Sequence, residues 1–161
     1  QIIKFPALKR EEVKGILIKD YSVSNNLSHF LAYFYEGRLG SALKYKDADM
    51  LNRKNKVLDE FAVPSRSGLG SAFISSRSDL RACLNILASW FRDIYMLKVE
   101  MPYQELINLD RKTELIRSAQ DFSFLKLDNI LNFISQSLLY LDRNVNYKLI
   151  QSNLKVELWK A

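Results

Sequence analysis

The sequence is poor in the residues that build cross-linked or metal-dependent sites. It holds one cysteine, Cys83, and one histidine, His29, in 161 residues. A lone cysteine excludes an internal disulfide framework, and one histidine leaves no set of ligands for a zinc site. Five glycines and three prolines are too few for the many turns of an all-β fold. No stretch reaches the ~20 uninterrupted apolar residues of a membrane span, so no membrane partner is expected and the expected compartment is the cytoplasm. A Gly-x-x-x-x-Gly-Lys-[Ser/Thr] loop does not occur in the sequence, which excludes a P-loop nucleotide site from this stretch of chain. The first residues, Gln1-Ile2-Ile3-Lys4-Phe5-Pro6, have neither the basic start nor the apolar run of a signal peptide. They read as the beginning of a fragment whose N-terminal partner is missing.

What is present points to a helical protein with a core. Hydrophobic residues make up 48% and charged residues 26%, a balance that excludes a disordered tail. The 24 Lys+Arg against 18 Asp+Glu give a net charge of +6, which invites a nucleic-acid reading. The excess does not cluster. Residues 1–45 carry seven basic and four acidic side chains, and residues 102–161 carry eight and seven. The longest basic cluster, Arg53-Lys54 with Lys56, is bordered by Asp49, Asp59 and Glu60. A nucleic-acid footprint is a stripe of one sign that releases counterions from several phosphates; mixed, solvated helix faces fit this pattern better. Only the first 45 residues offer a place for modest phosphate contact.

Apolar spacing predicts the helices. Ile2–Phe5 reads as a short edge strand or lead-in closed by Pro6. Val13, Ile16 and Leu17 share a helix face behind Glu11-Glu12, acidic residues suited to the positive end of the helix dipole. Leu27, Phe30, Leu31 and Phe34 repeat the spacing after the candidate caps Ser24-Asn25-Asn26, and Gly37 ends the helix. A third helix is predicted from Leu39 through Ala42, Leu43, Met50, Val57 and Phe61, with a charged middle at Lys46–Asp49. Pro64–Ser71, with Gly68 and Gly70, reads as a surface turn, since a lone Gly-x-Gly lacks the context of a dinucleotide site. Ser78 is the candidate cap of a long helix carrying Leu80, Cys83, Leu84, Leu87, Phe91 and Ile94, widened by Ile86, Trp90 and Leu97 and stopped by Pro102. So wide an apolar face belongs to a helix packed on two sides. Further helices are predicted around 111–120, from Phe124 to Asp142, and after Asn144-Val145-Asn146, where Tyr147, Ile150, Leu154 and Leu158 share a side. The expected fold is all-α in two parts: residues 1–45 a three-helix bundle with a short leading strand, and 46–161 a second helical bundle.

No pattern of catalytic chemistry emerges. His29 sits beside an apolar stripe without Cys, Asp or Glu partners in pattern, so it reads as a packed or half-exposed residue rather than a catalyst. Cys83 lies on a buried stripe, where a thiol behaves as a small apolar group. Glu11-Glu12 and Asp59-Glu60 are ordinary carboxylates of solvated helix ends, and the neighbours Arg92 and Asp93 read most simply as a local surface pair. The aromatic set Phe30, Tyr33, Phe34 and Tyr35 suggests base stacking, but at helical spacing core packing is the simpler reading. No catalytic, cofactor or metal residue is expected.

Three patches, in order, resemble a family. Gln1–Val13 with Glu36-Gly37-Arg38-Leu39-Gly40-Ser41-Ala42-Leu43-Lys44 resembles the strand leaving an AAA+ nucleotide-binding domain and the three-helix lid behind it. Trp90-Phe91-Arg92-Asp93-Ile94-Tyr95-Met96-Leu97-Lys98 with Ile107-Asn108-Leu109-Asp110 resembles the "W-x-R-D…N-x-D" run of a collar domain. Arg143–Leu149 resembles the "R-N-V-N-P-K-L" that opens the last collar helix, with Tyr147 at the proline. The family is that of bacterial DNA polymerase III clamp-loader subunits. Its ATP-hydrolysing gamma/tau members resemble "G-S-x-R-D-A-L" in the lid; here Gly40 stands at the arginine, and a residue without a side chain cannot stabilise phosphate charge. Arg38, two residues earlier, is ~200° away around a helix. The resemblance therefore implies the delta-prime type: a non-catalytic lid and collar that assembles with gamma/tau and delta in a hetero-pentamer. Through that assembly it would meet the sliding clamp and primed DNA during replication, with no cofactor in this fragment. The same resemblance makes Trp90, Arg92, Asp93, Tyr147, Ile150, Leu154 and Leu158 candidate subunit-interface residues, Asn144 and Asn146 a helix junction, and Gly37, Arg38 and Gly40 the lid motif. Two alternatives stand beside it: a helical DNA-binding regulator with residues 8–45 as a helix-turn-helix, and a gamma/tau ATPase subunit with a degenerate lid.

Overall fold

The computed structural model describes residues 8–46, 49–62 and 74–159, and the expected strand at Ile2–Phe5 and turn at Gly68 and Gly70 lie outside them. Within the described residues the fold is all-α: eight helices and no strand. They are α1 (Arg10–Lys19), α2 (Asn25–Phe34), α3 (Leu39–Lys44), α4 (Asp49–Phe61), α5 (Arg77–Lys98), α6 (Lys112–Asp121), α7 (Phe124–Asp142) and α8 (Tyr147–Trp159). Two 3-10 turns, Tyr103–Glu105 and Leu109–Arg111, lie on the connection from α5 to α6.

The apolar stripes close two cores. Val13, Leu17, Leu27, Phe30, Leu31 and Ala42 form the first, from α1 to α3. The second gathers Val57, Leu58 and Phe61 of α4 with the inner faces of α5 to α8. Phe34 and Met50 pack against both. Helix α5 is the axis of the second bundle, touching α4, α6, α7 and α8. Its Leu80, Leu84, Ile86, Leu87, Trp90 and Phe91 are fully buried, each worth about 1.5–3 kcal/mol in area removed from water.

The ends of the helices follow local chemistry. Glu12 reaches back to accept the Lys9 N–H at 2.8 Å. Ser123 caps α7 by accepting from the Lys126 N–H, and Asn146 accepts from the Lys148 N–H to cap α8. Asn144 takes the left-handed conformation, φ 61°, that ends α7. Gly37 has φ +77°, and a Cβ there would stand 2.1 Å from the carbonyl oxygen of Leu8; only glycine permits both the turn after α2 and the close pass of the chain.

Three expectations are corrected. The predicted helix from Leu39 to Phe61 is two helices, α3 ending at Lys44 and α4 starting at Asp49. Between Leu43 and Met50 no apolar stripe continues, and a helix without a face to bury is not held by packing; Tyr45 instead stacks on Tyr35, ring centroids 5.4 Å apart. The cap of α5 is Ser76, two residues before Ser78, accepting from the Asp79 N–H at 3.1 Å. Pro102 does not stop α5: the helix ends at Lys98, where Glu100 turns left-handed at φ 58° and the Met101 N–H reaches back to the Met96 carbonyl.

Candidate functional site

The run Trp90-Arg92-Asp93 and the run Asn108-Asp110, distant in sequence, meet in one place. Asp93 is fully buried on α5. Its carboxylate accepts the backbone N–H of Ile107 at 3.1 Å and of Asn108 at 2.7 Å, the Asn108 side-chain amide at 2.9 Å and Arg92 at 2.9 Å. The same Asn108 amide reaches Ser89 at 3.2 Å. Residues 89 and 93, one turn apart on α5, thus fold the 102–111 connection down onto the helix. Burial pushes the Asp93 carboxyl up from the usual range, and the N–H groups of Asn108 and Ile107 pull it back. The expectation of Arg92-Asp93 as a local surface pair does not hold, since Asp93 is inside. Trp90 is fully buried beside it with Arg111 5.8 Å over its ring; Trp90 Nε1 and Asn108 Oδ1 have no hydrogen-bond partner among the described residues.

The far side of this connection faces the first bundle. Lys54 of α4, fully buried, puts its ammonium 2.6 Å from each Asp110 carboxylate oxygen and 4.9 Å over the ring of Phe30 in α2. Burial pulls its pKa down, and Asp110 opposes that pull. His29 of α2, buried and stacked at 4.3 Å on Tyr33, hydrogen-bonds the Leu106 carbonyl through Nε2 at 2.7 Å. Arg10 of α1 pairs with Glu105 at 3.1 Å. Tyr33, whose hydroxyl donates to Glu11 at 2.8 Å, has its phenol pushed up to about 12, first by burial and then by that carboxylate. The result is a polar seam between two apolar cores, with Ile107 packed into the first. Beside His29, Leu109 and Asp110 the seam leaves a recess of about 70 Å³. That space admits water, not a substrate. The seam is built to hold two bundles in register.

The expected interface residues fall in different places. Trp90, Asp93, Ile150, Leu154 and Leu158 face the chain's own second core. Arg92 is partly exposed, with a second bond to the Glu105 carbonyl at 3.4 Å. Tyr147 is half-buried and donates its hydroxyl to the Ser75 carbonyl at 2.9 Å. On the outer surface, α8 exposes Leu149 at 62% and Val156 at 57%, seven residues apart and so on one face; α7 exposes Leu125 at 72%. Of the residues expected to form a lid motif, Arg38 precedes α3 and pairs with Glu36 at 3.3 Å, while Gly40 sits in the first turn of α3 with open space where a Cβ would go. Cys83 is buried and its thiol pushed up to about 12 by that burial. Sequence reasoning misses Lys54, which reads as part of a solvated cluster, and Arg77, which ties α5 to the end of α7 through the Leu141 carbonyl at 2.9 Å and Asn144.

Residues 49–157 match the family model described as DNA polymerase III, delta subunit, C terminal. The match starts on the first residue of α4 and runs into α8, so it spans the second bundle. No curated protein and no solved structure matches the chain.

Proposed function

The chain belongs to the family defined by the C-terminal domain of the DNA polymerase III delta subunit, and from that membership we propose that it is the lid and collar of a clamp-loader protein. Residues 1–45 are the lid and 46–161 the collar, a division supported by the two separate cores and by a family match that begins at α4. The fragment is non-catalytic. Its work is assembly with gamma/tau and the remaining loader subunits in the cytoplasm, through which it reaches the sliding clamp and primed DNA during replication.

The observation that carries this reading is the match over the whole second bundle. The outer apolar positions of α8 support it: Leu149 and Val156 are presented outward by a helix whose other face is fully engaged with its own core. We place the contact with a neighbouring subunit on this outer face; Trp90, Ile150, Leu154 and Leu158 hold the helices that present it. The finer assignment is to a non-hydrolysing position of the loader. Gly40 favours delta-prime, because hydrolysing members carry an arginine there; delta is favoured by the description of the matched family.

Co-purification of the chain with gamma/tau tests the proposal, in the presence of delta or of delta-prime as competitor. The chain is expected to enter a complex with gamma/tau and to be displaced by the subunit whose place it takes. Leu149→Asp with Val156→Asp is expected to abolish the complex and leave the helical circular dichroism intact. Failure of the parent chain to co-purify under native conditions defeats the reading.

A further inference from the structure

A groove of about 590 Å³ opens where the end of α2 and the α3 terminus face α4 and the first turns of α5. Its walls carry three arginines, Arg53, Arg77 and Arg81, against one carboxylate, Asp79. They also carry a pair of tyrosine rings, Tyr35 and Tyr45, stacked with centroids 5.4 Å apart and planes 9° from parallel. Tyr45 is 41% exposed, so the stack ends in a ring that solvent reaches. Phe34 and Met50 line the floor.

The arginines are held in place before any ligand arrives. Arg53 bonds Asp79 at 2.8 Å, Arg81 bonds Asp142, and Arg77 bonds the Leu141 carbonyl and Asn144. Arg53 and Arg81 each use a single nitrogen in these contacts, which leaves most of their five N–H groups for another acceptor. Fixed guanidinium forks suit phosphate oxygens, and they lose less freedom on binding than mobile side chains do. Asp79, held ionised near 2 by Ser76 and Ser75, and Asp142 reduce the positive excess in the groove without cancelling it.

A ligand that uses everything in this groove needs an anionic backbone and a flat face. An acidic peptide would meet the arginines and leave the tyrosine pair unused, and so would a free phosphate. In a duplex the bases hide their faces in the stack. We propose that the groove binds single-stranded nucleic acid, with a base stacked on Tyr45 and backbone phosphates on Arg53 and Arg81. Aromatic platforms beside a basic track are how single strands are held without sequence preference. The contact is made by this chain directly, and it is independent of the assembly reading.

Fluorescence anisotropy of the 161-residue chain with labelled oligothymidylate of ~10 nucleotides tests this in low salt. The expected result is saturable binding that weakens as salt rises. Tyr45→Ala should weaken it about tenfold, Tyr45→Trp should preserve it, and Arg81→Gln should weaken it and lower the salt slope by about 0.7. Both sites are exposed, and unchanged circular dichroism confirms that each variant is folded; should Tyr45→Ala not fold, Arg81→Gln decides. No binding in low salt overturns the proposal. So does binding that ignores the decisive substitutions, or displacement of the strand by a poly-glutamate peptide, an equal-length duplex or inorganic phosphate at comparable concentration.

Discussion

Asp79 and Asp93 stand on the same helix, and their surroundings push them in opposite directions. Asp79, in the first turn of α5, is hydrogen-bonded by Ser76, Ser75 and Arg53, and its carboxyl is held at about 2, below the ordinary 3.8. Asp93, about four turns further along the helix, is pushed up by burial. A carboxyl depressed in the folded state adds stability that is complete above its unfolded value and is lost as pH falls through the folded one. Asp79 therefore stabilises the protein above about pH 4, and this contribution fades between about pH 4 and pH 2. Asp93 has the opposite sign, adding stability at acid pH that fades as pH rises through its raised value. Urea midpoints measured across pH 2–5 should fall more gently on acidification in Asp79→Asn than in the parent. The difference between the two proteins isolates Asp79, since every other carboxyl is common to both. Equal slopes would show that the serine contacts do not tune the group in solution.

At the scale of elements, α4 shows what a charge inside a stripe does. Its inner face reads Met50, Lys54, Val57, Leu58 and Phe61, so the lysine occupies a core position, where burial pulls its pKa down and Asp110 opposes that pull. Replacing Lys54 alone by Met strands the carboxylate and is expected to cost about 3–5 kcal/mol, whereas Lys54→Met with Asp110→Leu should recover most of that loss. Urea denaturation of the single and double variants measures both. The same helix explains what is legible in the sequence. The apolar spacing predicts α7 from Phe124 to Asp142, where it lies, because a long regular stripe is bounded by a serine cap and a left-handed asparagine. The same reasoning merges the helices that meet at residues 45–49, because helical spacing on either side hides a short gap. Lys54 is lost among Arg53 and Lys56, although its place four residues after Met50 and three before Val57 marks the stripe. Asp93 and Asn108 stand in the recognised motif, but their meeting depends on a fold in the 102–111 connection that no local spacing reveals.

For the molecule as a whole, the seam decides whether two cores behave as one. Lys54 over the Phe30 ring, His29 to the Leu106 carbonyl, Arg10 to Glu105 and the shared Phe34 and Met50 all cross it. Urea unfolding followed by circular dichroism, which sees both bundles, and by tryptophan fluorescence, which sees only the second, should give coincident curves. Both tryptophans, Trp90 and Trp159, stand beyond residue 45. In His29→Ala with Arg10→Ala the first bundle is expected to melt at lower urea, separating the curves. Coincident curves in that variant would mean that the remaining contacts suffice to couple the cores.

The histidine at this seam has a practical consequence. Because His29 is the chain's only imidazole, a proton magnetic-resonance spectrum contains a single set of imidazole signals, and those signals come from the boundary between the bundles. Their position, followed through a urea titration of the chain, would tell without any label whether the Leu106 contact opens before the two bundles unfold.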